Sequence, residues 1–277
     1  MSSPLLDSEI RLPTSEELPD SDETPVDNEN QNTIPNWLLA ILEEIWEERQ
    51  DWFFGVDMGI YDREAQKQRT PVIIPDGFLS IGVQRHKREG KGRLSYVLQE
   101  ENEVVPILAL EFISQTYNQE YGKKMADYAK LGVKYYVIYN PEYSRRNKHE
   151  PFEVYKLVEG QYEKQAGEPV WLPEIGLGIG RVQGELGGIT REWLAWYDVT
   201  GTAYPLPQEQ IRRLGRQLLR ERQRYLEIEQ AFFQEQQKAE QERQKTLQIE
   251  QELQQQRQEK KQLIEKLRQL GINVEEL

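Results

Sequence analysis

The stretch from Pro106 to Pro141 constrains the fold of this chain more than any other. It opens on an unbroken apolar run, Ile107 to Leu110, which passes into Glu111-Phe112-Ile113-Ser114. A polar connector, Gln115 to Gln119, leads to a run of helical period that ends at Leu131-Gly132. A second apolar run, Tyr135 to Tyr139, follows and is stopped by Asn140-Pro141. Strand, crossover helix and strand of this length form one βαβ unit whose strands are parallel neighbours. A strand with no polar alternation is covered on both faces. The carboxylate of Glu111 inside it therefore needs an ionic partner or a metal.

The helix between the two runs offers a partner. At about 100° per residue, Tyr121, Met125, Tyr128 and Leu131 share one apolar face. Lys124 lies about 40° from Tyr128, whereas Lys123 lies about 140° away. Lys123, Asp127 and Lys130 thus form the solvated side, and Lys124 points towards the sheet that carries Glu111. Either it snorkels past the tyrosines to water or it reaches a carboxylate.

A third charged group precedes these two, Asp76 in Pro75-Asp76-Gly77. Two carboxylates and a lysine are the set that metal-assisted phosphodiester hydrolysis uses. The carboxylates hold Mg²⁺ (or Mn²⁺), which polarises the phosphate and acidifies a water, while the ammonium orients the hydroxide or stabilises developing charge. Each residue also has a plainer reading. Pro-Asp-Gly is a common turn tripeptide, Glu111 can be an interior ion-pair member, and Ser114 a helix cap or loop hydroxyl.

Other chemistries are poorly supplied. The chain has no Cys, which excludes disulfides, thiolate metal sites and Cys nucleophiles. Its two histidines, His86 and His149, sit in Lys/Arg-rich loop stretches and match no metal spacing. No apolar run approaches the twenty residues of a membrane span and no signal-peptide pattern follows Met1, so the sequence reads as soluble and cytoplasmic, without a membrane partner. The formal net charge of -13 argues at first against nucleic acid. Residues 1–70, however, hold 17 acids and 5 bases, against 18 and 16 over 71–200 and 13 and 14 over 201–277. The acidity belongs to the N-terminal part and says little about a site in the middle.

The rest of the chain divides into four parts. Residues 1–33, rich in Asp, Glu, Ser, Pro and Asn, read as a disordered acidic tail. The α/β domain spans 34–200. Within it a helix starts at Pro35-Asn36 (Trp37, Leu38, Ile41, Leu42, Ile45 and Trp46 inward, Glu44 and Glu47 on the outer side). Trp52 to Tyr61 reads as a strand, Val72 to Ile74 as a short apolar run that Phe78 to Ile81 continues, and Gln84 to Arg93 as a basic loop. Phe152 to Leu157 and Gln161 to Lys164 flank the hairpin signal Glu159-Gly160. Pro169 to Arg181 reads as a glycine-punctuated strand, and Trp193, Trp196 and Tyr197 as core cover. Residues 201–207 are a linker. Residues 208–277 form a long Gln-, Glu- and Arg-rich helix with a stop at Gly271. A heptad seam runs from Ile211 through Leu214, Leu218, Tyr225, Ile228, Phe232, Ala239, Ile249, Leu253, Leu263 and Leu267 to Leu270, weakened in its middle by Glu235, Glu242, Thr246, Gln256 and Lys260. A homodimeric coiled coil and a solvated single helix with i,i+4 charge pairs are both open for it.

Three blocks together resemble a known family. Ile74-Pro75-Asp76-Gly77-Phe78, Leu110-Glu111-Phe112-Ile113-Ser114, and Lys124 to Val133 followed by Tyr135 to Pro141 are similar to the Uma2 family (DUF820). This family is abundant in cyanobacteria and belongs to the PD-(D/E)XK nuclease superfamily. The resemblance covers about residues 36–200. It implies a restriction-endonuclease-like fold, a mixed sheet flanked by helices with the metal site on the central strands. By position, Asp76 and Glu111 become the metal carboxylates and Lys124 the catalytic lysine, with Glu44 or Glu47 as a further ligand in some superfamily members. The in-strand lysine of the superfamily falls at Ile113, which is apolar, so the resemblance implies a lysine moved to the helix.

The expectation is an α/β nuclease-like domain with an acidic tail and a long C-terminal helix. Its expected function is Mg²⁺-dependent endonuclease activity on nucleic acid, DNA before RNA. The alternative is a non-enzymatic interaction protein that keeps the fold and assembles through its C-terminal helix.

Overall fold

The computed structural model describes residues 11–19, 29–87, 92–113, 119–142, 144–186, 188–205 and 207–269. Ser114, most of the connector after it, residues 88–91 of the basic loop, the helix stop at Gly271 and the greater part of the acidic tail lie outside the described residues. Contacts divide the chain into two units, Met1–Gln210 and Ile211–Leu277.

The first unit begins with α1 (Glu29–Ile45), β1 (Trp52–Val56), β2 (Ile60–Tyr61), α2 (Arg63–Gln68), β3 (Gly77–Ile81) and β4 (Tyr96–Val97). It continues with β5 (Leu108–Phe112), α3 (Lys123–Leu131), β6 (Tyr135–Tyr139), α4 (Ser144–Asn147), β7 (Phe152–Val158) and β8 (Gln161–Lys164). It closes with β9 (Val170–Leu172), β10 (Leu177–Leu186) and β11 (Ile189–Tyr197), before α5 (Pro207–Gln269). A mixed six-stranded sheet runs in the order β1-β3-β5-β6-β7-β8, beside a three-stranded sheet β11-β10-β9 and a two-stranded one β2-β4. This is the α/β arrangement of a restriction-endonuclease-like fold with a long C-terminal helix.

The central unit forms as its apolar runs dictate. β5 and β6 pair in parallel, Glu111 opposite Ile138, and all ten of their residues are buried. Alternation divides those residues between two cores. Leu108, Leu110, Phe112, Val137 and Tyr139 pack with Ile34, Leu38, Ile41 and Leu42 of α1 and with Ile179, Trp193 and Trp196 of the small sheet. Ala109, Ile113, Tyr136 and Ile138 pack on the other side, with Tyr128 of α3 and with Phe78 and Tyr96.

Several local readings are corrected by long-range pairing. The strand expected over Trp52–Tyr61 breaks at Asp57, whose φ of 48° is left-handed, and Ile60–Tyr61 joins β4 instead. Val72–Ile74 is not continuous with β3; Ile73 makes an isolated bridge to Ile60, and Pro75, without an N–H, intervenes. Pro35 lies inside α1 and does not start it, because Ile34 extends the apolar stripe another turn. Pro169–Arg181 folds as two antiparallel strands, β9 and β10, joined through Gly176 at φ 78°. Residues 11–19 of the acidic segment pack on the domain. Leu18 is buried against Tyr61, Ala65 and Val97, and the Ser15 N–H and hydroxyl donate to Glu100.

The described part of the basic loop is balanced by acids. Arg85 pairs with Glu43 and lies over the Trp52 ring, Lys87 pairs with Glu100 and Glu101, and Arg93 pairs with Glu101. The second unit is the greater part of α5, whose side chains are almost all exposed. No helix among the described residues is long and apolar enough to cross a membrane.

One close approach in the main sheet is specific to glycine. Gly55 sits opposite Phe78 across β1 and β3, and a Cβ there would meet the Phe78 ring at 2.2 Å. Gly55→Ala should lower the unfolding free energy by about 1–3 kcal/mol in urea melts, as overpacking does. Gly92→Ala, in open space, should change it by less than about 0.5 kcal/mol.

Candidate active site

Register brings the two carboxylates together. β3 and β5 are antiparallel with Gly77 opposite Leu110. One further step along that pairing sets Asp76 opposite Glu111, a position at which side chains on one face lie about 5 Å apart. Asp76 Oδ2 accepts the Phe112 N–H at 2.5 Å, so a side chain takes a donor that a longer β3 would have paired with backbone. Asp76 and Glu111 are both buried.

Helix α3 supplies the groups that face them. Its last turn is closed by Gly132 at φ 90°, with the Gly132 and Val133 N–H groups on the Tyr128 carbonyl. This registers Tyr128 and Lys124, one turn apart, over β5. Lys124 Nζ donates to Glu111 Oε2 at 2.8 Å, and the Tyr128 hydroxyl donates to Glu111 Oε1 at 2.5 Å. The Lys124 side chain is 20% exposed, whereas Lys123 and Lys130 are exposed. Of the two readings open for Lys124, contact with the carboxylate is the one that the fold adopts.

The electrostatics follow from crowding like charges in a dry place. Burial, and then the neighbouring Asp76 charge, push Glu111 up to about 8, against the opposing pull of Lys124 and Tyr128. Burial pulls the Lys124 ammonium down, but Glu111, Asp76 and Glu120 outweigh it and the net shift is upward. Lys124 therefore stays charged. Burial and the Glu111 charge raise Tyr128 far above its ordinary value, so it remains a hydroxyl donor.

Two residues of this site escaped the sequence reading. Tyr128 stood only as an apolar-face residue, although its place one turn after Lys124 was the available signal. Glu120 is buried, 3.9 Å from Lys124, and its carbonyl accepts the Tyr136 hydroxyl at 2.9 Å. Nothing in its local sequence distinguished it. Glu44, near the end of α1, and Glu47, in the turn that follows it, are both exposed. Ile113 is fully buried in apolar surroundings, where an in-strand lysine would have no place. His86 is exposed, and His149 stacks on Tyr121 with its Nδ1 3.3 Å from Glu153. Among the described residues no group of three or more His, Asp or Glu is arranged to hold a metal ion; Asp76 and Glu111 form a pair.

A family model, Uma2, described as "Putative restriction endonuclease", matches residues 21–182, more than half of the chain. No curated protein and no solved structure matches the sequence.

The raised value of Glu111 gives a pH-dependent stability with a definite sign. In the metal-free protein the folded state holds a proton, between about pH 4.5 and 8, that the unfolded chain releases. This contribution is complete below the unfolded value and is lost as pH rises through the folded one. Glu111→Gln cannot titrate, so its unfolding free energy minus that of wild type should rise with pH across this window, by at most about 1.4 kcal/mol per unit. Urea melts of both proteins at several pH values check this; a difference independent of pH would mean that folded Glu111 is ionised throughout.

Proposed function

The chain belongs to the Uma2 family, and we propose that it is a Mg²⁺-dependent endonuclease that hydrolyses phosphodiester bonds in DNA. The observation that carries this reading is the meeting of Asp76, just before β3, with Glu111 of β5 and Lys124 of α3 in a largely buried place. Two carboxylates with one ammonium have little value as packing, since two like charges in one dry site cost stability. They fit a hard divalent cation, which takes one or two carboxylates and keeps several waters.

Asp76 and Glu111 are the residues that would hold Mg²⁺ or Mn²⁺. When bound, the ion polarises a phosphate oxygen and acidifies a water. The protein's own groups prepare for this. The Phe112 N–H holds Asp76, and the Tyr128 hydroxyl holds one oxygen of Glu111, so both carboxylates are oriented in advance. Glu111 gives up its proton to become a ligand, which couples cation capture to pH. Lys124 keeps its charge beside Glu111 and is the group that orients the attacking water and stabilises negative charge on the phosphate.

The helix position of the lysine is tested by comparing neighbours. Lys124→Ala should lower cleavage of DNA at least about a hundredfold. Lys123→Ala, on the exposed side of α3, should cleave at the wild-type rate. With Mg²⁺ bound, neither should alter stability much, because the loss of attraction on removing Lys124 is offset by relief of its desolvation and the ion neutralises most of the remaining carboxylate repulsion. Equal cleavage by the two variants would remove the lysine from the mechanism. A wild-type protein that cleaves no DNA or RNA with Mg²⁺ or Mn²⁺ would replace the enzyme by the interaction protein of the alternative reading.

A further inference from the structure

The seam of α5 is exposed and has a hidden symmetry. Ile211, Leu214, Leu218, Tyr225, Ile228, Phe232, Ile249, Leu253 and Leu263 all lie open to solvent at alternating steps of three and four residues or sums of such steps. An apolar stripe of this length on a solitary helix calls for a partner. The polar interruptions identify which one.

Reading the seam outwards from a point between Glu240 and Gln241 gives apolar residues opposite apolar ones at most positions, with Ala239 opposite Glu242 beside the axis as an exception. Phe232 mirrors Ile249, Ile228 mirrors Leu253, Leu218 mirrors Leu263 and Leu214 mirrors Leu267. Two pairs of polar positions mirror one another as well, and the Tyr225 ring, which carries a hydroxyl, faces an amide. Tyr225 falls opposite Gln256, Glu235 opposite Thr246, and Glu221 opposite Lys260.

From this we propose that α5 binds a second copy of itself as an antiparallel coiled coil, with its two-fold axis beside Glu240 and Gln241. In such a pair each of these residues packs across the seam on its mirror position in the other helix. Apolar layers then meet apolar layers, and Glu221 meets Lys260 of the second copy twice, once on either side of the axis. No like charges fall on mirrored seam positions; Glu242 of each copy lies opposite Ala239 beside the axis.

Competing arrangements fail on the same residues. A parallel, in-register pair stacks Glu221, Glu235, Glu242 and Lys260 each on its own copy, four like-charged contacts in the driest part of the interface. It would gain rim pairs, such as Arg224 with Glu229 and Glu252 with Arg257, but rim pairs are solvated and screened. An antiparallel pair slipped by one heptad sets Leu214 on Lys260, Leu218 on Gln256 and Glu221 on Leu253, burying polar groups against hydrocarbon.

The absence of native cysteine allows a direct test on the full chain. Glu221→Cys and Lys260→Cys chains, one carrying a size tag, are mixed and mildly oxidised. The antiparallel pair yields a mixed disulfide and no disulfide in either variant alone, since the two copies of residue 221 would be about 58 Å apart. A disulfide in Glu221→Cys alone, or a wild-type chain that sediments as a monomer at every concentration, would overturn the proposal. Charge reversal gives a second reading by sedimentation equilibrium. Lys260→Glu should weaken the dimer at least about tenfold, and adding Glu221→Lys should restore it. Failure of the double reversal to restore it would rule out this register.

Discussion

The Glu111 carboxylate, buried between a like charge and an opposite one, is the constraint around which the α/β unit of this molecule is arranged. A carboxylate in the middle of a fully covered strand is costly unless its oxygens are satisfied. Here the Lys124 ammonium and the Tyr128 hydroxyl take one oxygen each. Both come from one helix, and both require that α3 end where Gly132 ends it. The crossover from β5 to β6 is thus a packing device and, equally, the means of delivering a cation to the sheet. Asp76 acts in the other direction, raising the proton affinity of Glu111 and leaving the pair short of positive charge.

The same face of the sheet solves a related problem without that tension. Across β5, β6 and β7 the register aligns Glu111, Ile138 and Glu153. Glu153 is also buried, but Lys164 from β8 donates to it at 2.6 Å and His149 lies 3.3 Å from its other oxygen. Lys164 also pairs with Glu150 at 3.0 Å, but Glu150 is exposed, so Glu153 is the one buried carboxylate of an ordinary ion pair. Two buried carboxylates beside one lysine are a different kind of arrangement, and that contrast within a single sheet separates the candidate site from structural polar groups.

How much of this was legible in the sequence depended on the range of the interaction. The strands β5 and β6, the helix between them and the inward direction of Lys124 follow from local periodicity, which survives in any fold that buries those residues. The hairpin at Glu159-Gly160 was legible for the same reason, since its turn residues carry the left-handed angles themselves. The opposition of Asp76 to Glu111 was not, because it depends on the register of strands more than thirty residues apart. Tyr128 was ambiguous, as a buried tyrosine looks the same in sequence whether its hydroxyl is used or merely tolerated. The docking of residues 11–19 was hidden by their acidic surroundings, which masked the one apolar anchor, Leu18. Ion pairing of the basic loop was hidden for a like reason, because its partners Glu43, Glu100 and Glu101 lie on other elements.

The central claim, that Asp76 and Glu111 exist to share a divalent cation, is tested most directly by calorimetric titration of the full chain with Mg²⁺ and Mn²⁺. The account predicts one site per chain in the millimolar range or tighter. The apparent heat should vary with the ionisation enthalpy of the buffer, because Glu111 loses a proton on binding, and Asp76→Ala should abolish the signal while the protein stays folded. Binding that survives Asp76→Ala unchanged, or a folded wild-type protein that takes up neither ion, would contradict it.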